Sequence, residues 1–136
     1  MKRLSFLIAL MIALNWPGPA RAEADIYKFC GADRLAYMKA ISYNEFSEAH
    51  ENSQVTFVQF WLGGYTSGIS LRDPLCGKRI SACIDSTSPN QQLVMLKKKA
   101  QNTPEKWGMD HITAIYIFNS FVDPCLKGEI PLKKKK

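Results

Sequence analysis

Two histidines serve the whole chain, His50 and His111, and neither stands near a cysteine or the other, so no metal-ligand spacing is present. There is no GxSxG elbow, no glycine pattern of a phosphate-binding loop and no HExxH; "HEN" at residues 50–52 is only a dipeptide likeness. Carboxylates are scattered, and a pair such as Asp73 with Asp85 has nothing beside it to support acid–base work. No internal repeat occurs, and past Leu14 no apolar run resembles a membrane span. With no catalytic residue, cofactor or metal ligand to assign, the expectation is a protein that is not an enzyme.

What is present begins with "MKRLSFLIALMIAL": Lys2 and Arg3, an apolar run from Leu4 to Leu14, then "NWPGPARA", which ends in small residues. This reads as a secretory signal peptide cut after Ala22, with Ala24 as the alternative site. The remaining 114 residues, 136 less 22, make one domain, residues 23–130, followed by a basic tail at 131–136. Without Lys2, Arg3 and Arg21 the chain carries 15 basic against 12 acidic residues. Lys133–Lys136 supply four of those charges, so the body is close to neutral. Such a balance argues against nucleic acid as a partner, and the leader's apolar run is too short to span a bilayer, which argues against insertion into a membrane.

Four cysteines, Cys30, Cys76, Cys83 and Cys125, follow the leader, and an even number in an exported chain points to two disulfides. Three connectivities are open.

Periodicity predicts an all-α, disulfide-stapled domain of about four helices. The first runs from Asp33, with Leu35, Met38 and Ile41 on one face; "SYNEFSEAHENS" is either its continuation or a loop. The second follows Ser53 as N-cap and carries Val55, Val58, Leu62, Tyr65 and Ile69 at steps of three and four, widened by Phe57 and Trp61. "SLRDPLCGKRISACIDSTS" has Pro74, Gly77 and many small polar residues, and reads as an irregular segment held by sulfur. Ser88, Pro89 and Gln91 then open a third helix with Leu93, Leu96 and Ala100 inward and Lys97–Lys99 at its dipole-favoured end. Thr103, Pro104 and Glu105 open a fourth, apolar nearly all round, with Trp107, Ile115, Phe118 and Val122 in helical register. Asp123 and Pro124 stop it.

"FWLGGYTSGIS", residues 60–70, places three glycines inside the second helix. Gly64 and Gly68, with Tyr65 between them, form a GxxxG step that lets another backbone approach closely; glycine there costs about 1 kcal/mol per residue in helix propensity, which close packing should offset. The face can serve packing within the chain or self-association into a homodimer.

Taken in order, "GYTSG", Cys83 ahead of a proline-capped helix with Gln92 and Leu93, Pro104 and Glu105 in "TPEKW", and the apolar helix closing on "FVDPC" resemble the Tai/Rap immunity proteins, which protect bacteria from type VI secretion peptidoglycan amidases. The likeness spans roughly residues 55–125. The chain departs from that family at Phe60, Trp61 and Leu62, where a cysteine commonly precedes the Gly-Tyr pair, and at Val122 and Asp123, which separate the aromatic residue from Pro124 and Cys125.

The resemblance implies a periplasmic protein that blocks the cleft of a cognate cell-wall amidase by steric occlusion. It also implies a Cys83–Cys125 bridge, leaving Cys30 with Cys76; a local Cys76–Cys83 bond would instead leave Cys30 with Cys125. Arg72, Asp73, Lys78 and Arg79, in the cysteine-tied segment, are the candidate partner-binding residues, because a stapled, charged loop is preorganised for contact. The alternative function is a periplasmic acid-stress chaperone similar to HdeA, although the body is neither histidine-rich nor unusually acidic.

Overall fold

The computed structural model of the chain describes residues 41–134. The leader, the helix expected from Asp33, Cys30 and the last two lysines lie outside the described residues. Within them the protein is all-α.

The first described element was open between helix and loop, and it is a helix of its own. Ser42 and Glu45 form a capping box: the Glu45 N–H donates to Ser42 Oγ at 3.3 Å and the Ser42 N–H to Glu45 Oε2 at 3.1 Å. The result is α1, Tyr43–Glu48. Its two buried rings fix it to the body, Tyr43 lying 5.0 Å from Trp107 and 5.6 Å from Tyr116, and Phe46 5.6 Å from Phe57.

Helix α2 spans Glu51–Arg72 and is about 33 Å long. It starts ahead of Ser53, which is therefore not its N-cap. The Gln54 N–H already donates to the His50 carbonyl at 3.0 Å, and the buried Gln54 side chain donates to the Phe46 and Ala49 carbonyls at 3.1 and 2.9 Å, closing the end of α1. Val58, Leu62, Tyr65 and Ile69 are buried as the spacing predicts, together with Trp61.

The segment expected to be irregular is a helix, α3, Pro74–Ser86. Asp73 is its N-cap, accepting from the Cys76 N–H at 3.2 Å, and Pro74 occupies the first turn, where its missing N–H costs nothing. Small polar residues do not prevent a helix when one face, here Cys76, Gly77, Ile80 and Cys83, is buried.

Helix α4, Pro89–Ala100, begins with the expected Ser88–Gln91 capping box and buries Leu93, Leu96 and Ala100. Thr103 and Pro104 open only a 3₁₀ turn, Pro104–Lys106, because the Thr103 hydroxyl is engaged elsewhere, 2.7 Å from the Tyr116 hydroxyl. The apolar helix starts later, after His111, whose φ of 69° turns the chain.

That helix is α5, Ile112–Ile117, continued by a π-helical turn, Phe118–Val122, and by α6, Asp123–Leu126. It is the most buried element, as its composition requires. Asp123 and Pro124 do not stop it: the wide turn just before them accommodates a proline that has no N–H to offer. The stop is Gly128, with φ 76°. The Gly128 N–H donates to the Cys125 carbonyl at 3.0 Å and the Glu129 N–H to that of Pro124 at 2.9 Å, the two bonds of a Schellman cap.

Cys83 and Cys125 are bonded, with Cα atoms 6.1 Å apart, tying α3 to α6. This excludes the local Cys76–Cys83 bond. Cys76 is also in a disulfide, so its partner lies outside the described residues.

Candidate protein-binding surface

Residues 52–71 contain no Asp, Glu, Lys or Arg. Yet α2, which they fill, has an inner and an outer side. Inward, Trp61 and Tyr65 stack at 5.2 Å, and Tyr65 meets the edge of Phe118 at 5.9 Å, which makes Tyr65 a core residue. Outward, Phe60 is 79% exposed, and Gly63, Gly64, Ser67 and Gly68 are exposed beside it on a helical face. A side chain added at Gly63, Gly64 or Gly68 would meet nothing within 4 Å. The GxxxG step thus packs against no other described element. The close approach lies instead at Gly77 on α3, where a Cβ would stand 2.7 Å from Ser70 Cβ and 2.9 Å from its Cα.

The four residues expected in a partner-binding loop are divided by the fold. Asp73 is committed to capping α3. Arg79 Nε donates to the Cys125 carbonyl at 3.3 Å, bracing the disulfide. Arg72 and Lys78 are exposed at the corner where α2 meets α3. Two leucines that the sequence did not single out stand with them, Leu71 at 89% and Leu75 at 49% exposure. Both belong to stretches read as loop, where an exposed leucine carries no signal; only on a defined helix does its outward direction become visible.

Beyond the corner, a groove of about 640 Å³ runs between Ser86–Met95 and Glu129–Pro131. Its lining is neutral except for Glu129, so it holds no acid–base pair. Asp73 and Asp85 sit near opposite ends of α3, twelve residues or about 18 Å apart along the axis, which separates them as a catalytic pair. His50 and His111 are exposed, and among the described residues no three His, Cys, Asp or Glu side chains are placed to hold a metal ion.

Among the described residues, the surroundings shift Tyr43 and Lys127. Burial raises the Tyr43 phenol above its usual range, and the Tyr116 phenol beside it adds to the effect. The Asp123 carboxylate, hydrogen-bonded to Lys127 at 2.7 Å, raises the exposed Lys127 ammonium.

No family model, no curated protein and no solved structure matches this chain.

Proposed function

We propose that this is an exported, non-enzymatic binding protein that protects the periplasm by occluding a cognate peptidoglycan amidase. The observation that carries the binding role is the α2–α3 corner, where exposed Leu71 and Leu75 are flanked by Arg72 and Lys78. Apolar anchors with a charged rim are the anatomy of a protein contact site. The corner is also rigid. The Asp73 cap, the Gly77–Ser70 approach and the Cys83–Cys125 bond fix both helices before any partner arrives, which lowers the ordering cost of binding. The signal peptide and the resemblance of residues 55–125 to the Tai/Rap immunity proteins supply the compartment and the class of partner. Occlusion needs no catalytic group, cofactor or metal.

The test is retention of a cell-wall amidase by disulfide-intact mature protein, followed by an assay of that amidase on peptidoglycan. Stoichiometric inhibition that Leu71→Asp and Lys78→Glu abolish supports the reading; full hydrolysis at excess binding protein sinks it. The HdeA-like alternative requires loss of structure and holdase activity at about pH 2–3. Circular dichroism that keeps its native helical signal there, without holdase activity, removes that alternative.

A further inference from the structure

Helix α3 has little apolar packing of its own. Its 13 residues carry no aromatic ring, and its buried face consists of Cys76, Gly77, Ile80 and Cys83. Ile80 is thus its one large apolar side chain that is fully buried; Ile84 is half-buried and Leu75 is exposed. A helix of this length is marginal in water by itself and persists only when packing or a covalent tie holds it.

Both of its sulfurs are bonded, one near each end. Cys76, in the first turn, is paired with a cysteine outside the described residues, and the sequence has one further cysteine, Cys30. Cys83, in the last turn, is paired with Cys125 of α6. The hydrogen bond from Arg79 Nε to the Cys125 carbonyl reinforces that same junction. Toward α2 the contact is Gly77 against Ser70, which brings two backbones together without burying a large side chain.

The rest of the described body is held differently. Helices α1, α2 and α5, with the turn at Trp107, meet through rings: Tyr43 with Trp107 and Tyr116, Phe46 with Phe57, Tyr65 with Phe118. Helix α4 is seated by buried Leu93 and Leu96 and by the bond from Gln59 to Gln92. No sulfur takes part in these contacts. Cohesion is therefore unequal, and an element with few buried apolar contacts opens before a ring-packed core does. Leu75 and Lys78 ride on α3 and Leu71 and Arg72 on α2, so the corner exists only while α3 is docked.

We propose that α3 is an oxidation-gated element: it docks, and the α2–α3 corner forms, when the bonds at Cys76 and Cys83 close, while the core of α1, α2, α4 and α5 already stands in the thiol form. Each closure is a two-electron oxidation by a protein or small-molecule disulfide. One cysteine thiolate attacks the oxidant's disulfide and releases its first thiol; the second cysteine attacks the mixed disulfide and releases the other. The two cysteine protons end on the oxidant's two thiols. Once closed, the bonds are sealed, because Cys76, Cys83 and Cys125 are fully buried and a reductant reaches them only when α3 opens. The gate acts once, at assembly. Its consequence for binding rests on the corner being the contact surface; the gate itself does not, and its test reads α3 rather than an amidase.

The experiment is hydrogen exchange with mass spectrometry on the full mature chain, refolded once with its disulfides and once in a phosphine reductant. In the reduced protein the amides of residues 77–86 should lose protection by about 100-fold or more, and trypsin should cut after Lys78 and Arg79. Amides in the middle of α2 and in α5 should stay protected. Protection of α3 in the reduced protein overturns the proposal. Loss of protection throughout the chain also overturns it, since sulfur would then hold the whole body. The Cys30→Ala, Cys76→Ala double variant, which keeps the Cys83–Cys125 bond, is the second measurement. Cleavage after Lys78 with residues 83–86 still protected supports a separate clamp at each end of α3. Wild-type resistance after Lys78, or loss of protection throughout, overturns it.

Discussion

Gly77 and Ser70 stand so close that a methyl group on Gly77 would come within 2.7 Å of the Ser70 Cβ. This contact sets how tightly α3 folds back on α2; the Ser70 hydroxyl is also in the way and can rotate, but the Ser70 Cβ and Cα cannot swing aside. Gly77→Ala should therefore lower stability by about 1–3 kcal/mol in denaturant unfolding, despite alanine's better helix propensity. Gly108→Ala is the contrast: a methyl there would lie an ordinary 3.6 Å from Asn44 Nδ2, and little change is expected.

The Cys83–Cys125 bond closes a separation of 42 residues. By the chain-entropy relation, its removal in a double alanine variant should cost about 4 kcal/mol. Equilibrium urea unfolding against the wild type measures the loss; a difference near zero would mean that helix packing alone holds α3 to α6.

Gln59 on α2 donates from Nε2 to Gln92 Oε1 on α4, and Gln92 is buried. Truncating Gln92 to alanine strands the Gln59 amide and opens a cavity, so a loss of roughly 1–3 kcal/mol is expected. A double-mutant cycle with Gln59→Ala should show coupling between the two positions.

His111 holds a left-handed backbone, φ 69°, with no capping bond from its side chain. His111→Gly removes that strain at an exposed site and should raise stability by about 0.4–1 kcal/mol, read as a higher Tm.

Alkaline stability should follow Tyr43. Its phenol is raised in the folded protein because burial, and then Tyr116, disfavour the phenolate. The folded state thus keeps the proton that the unfolded chain releases, so the contribution is present below the ordinary value of 10.0 and is lost as pH climbs through the raised one. Tyr43→Phe should flatten the stability profile above about pH 10. An unchanged alkaline limb would assign the loss to other groups.

Local chemistry was legible where it repeats a simple rule. Ser88, Pro89 and Gln91 announced α4, and the three- and four-residue steps from Val58 to Ile69 named the buried side of α2. The same rule was present at Ser42 with Glu45 and at Asp73 with Pro74, but α1 is six residues long and its two buried rings, Tyr43 and Phe46, are too few to show a period, while in α3 Cys76, Gly77 and Cys83 form most of the buried face, and a face of small residues is faint in sequence. At Asp123 and Pro124 the apparent stop was overridden by a π-helical turn, while the effective stop at Gly128 lay four residues beyond Pro124. Of the candidate surface, Arg72 and Lys78 were legible as charges; Leu71 and Leu75 were not, because exposure depends on what packs against the other side of a helix.

The sequence alone determined the helical class and the inward faces of α2 and α4, since these follow from periodicity and from caps whose partners lie within four residues. The tertiary structure decided which cysteine Cys83 joins, that the glycines of α2 face away from the described core while Gly77 packs tightly, and which side chains meet at the α2–α3 corner. Those outcomes depend on elements distant in the chain, and only their assembly determines which side of each helix remains uncovered.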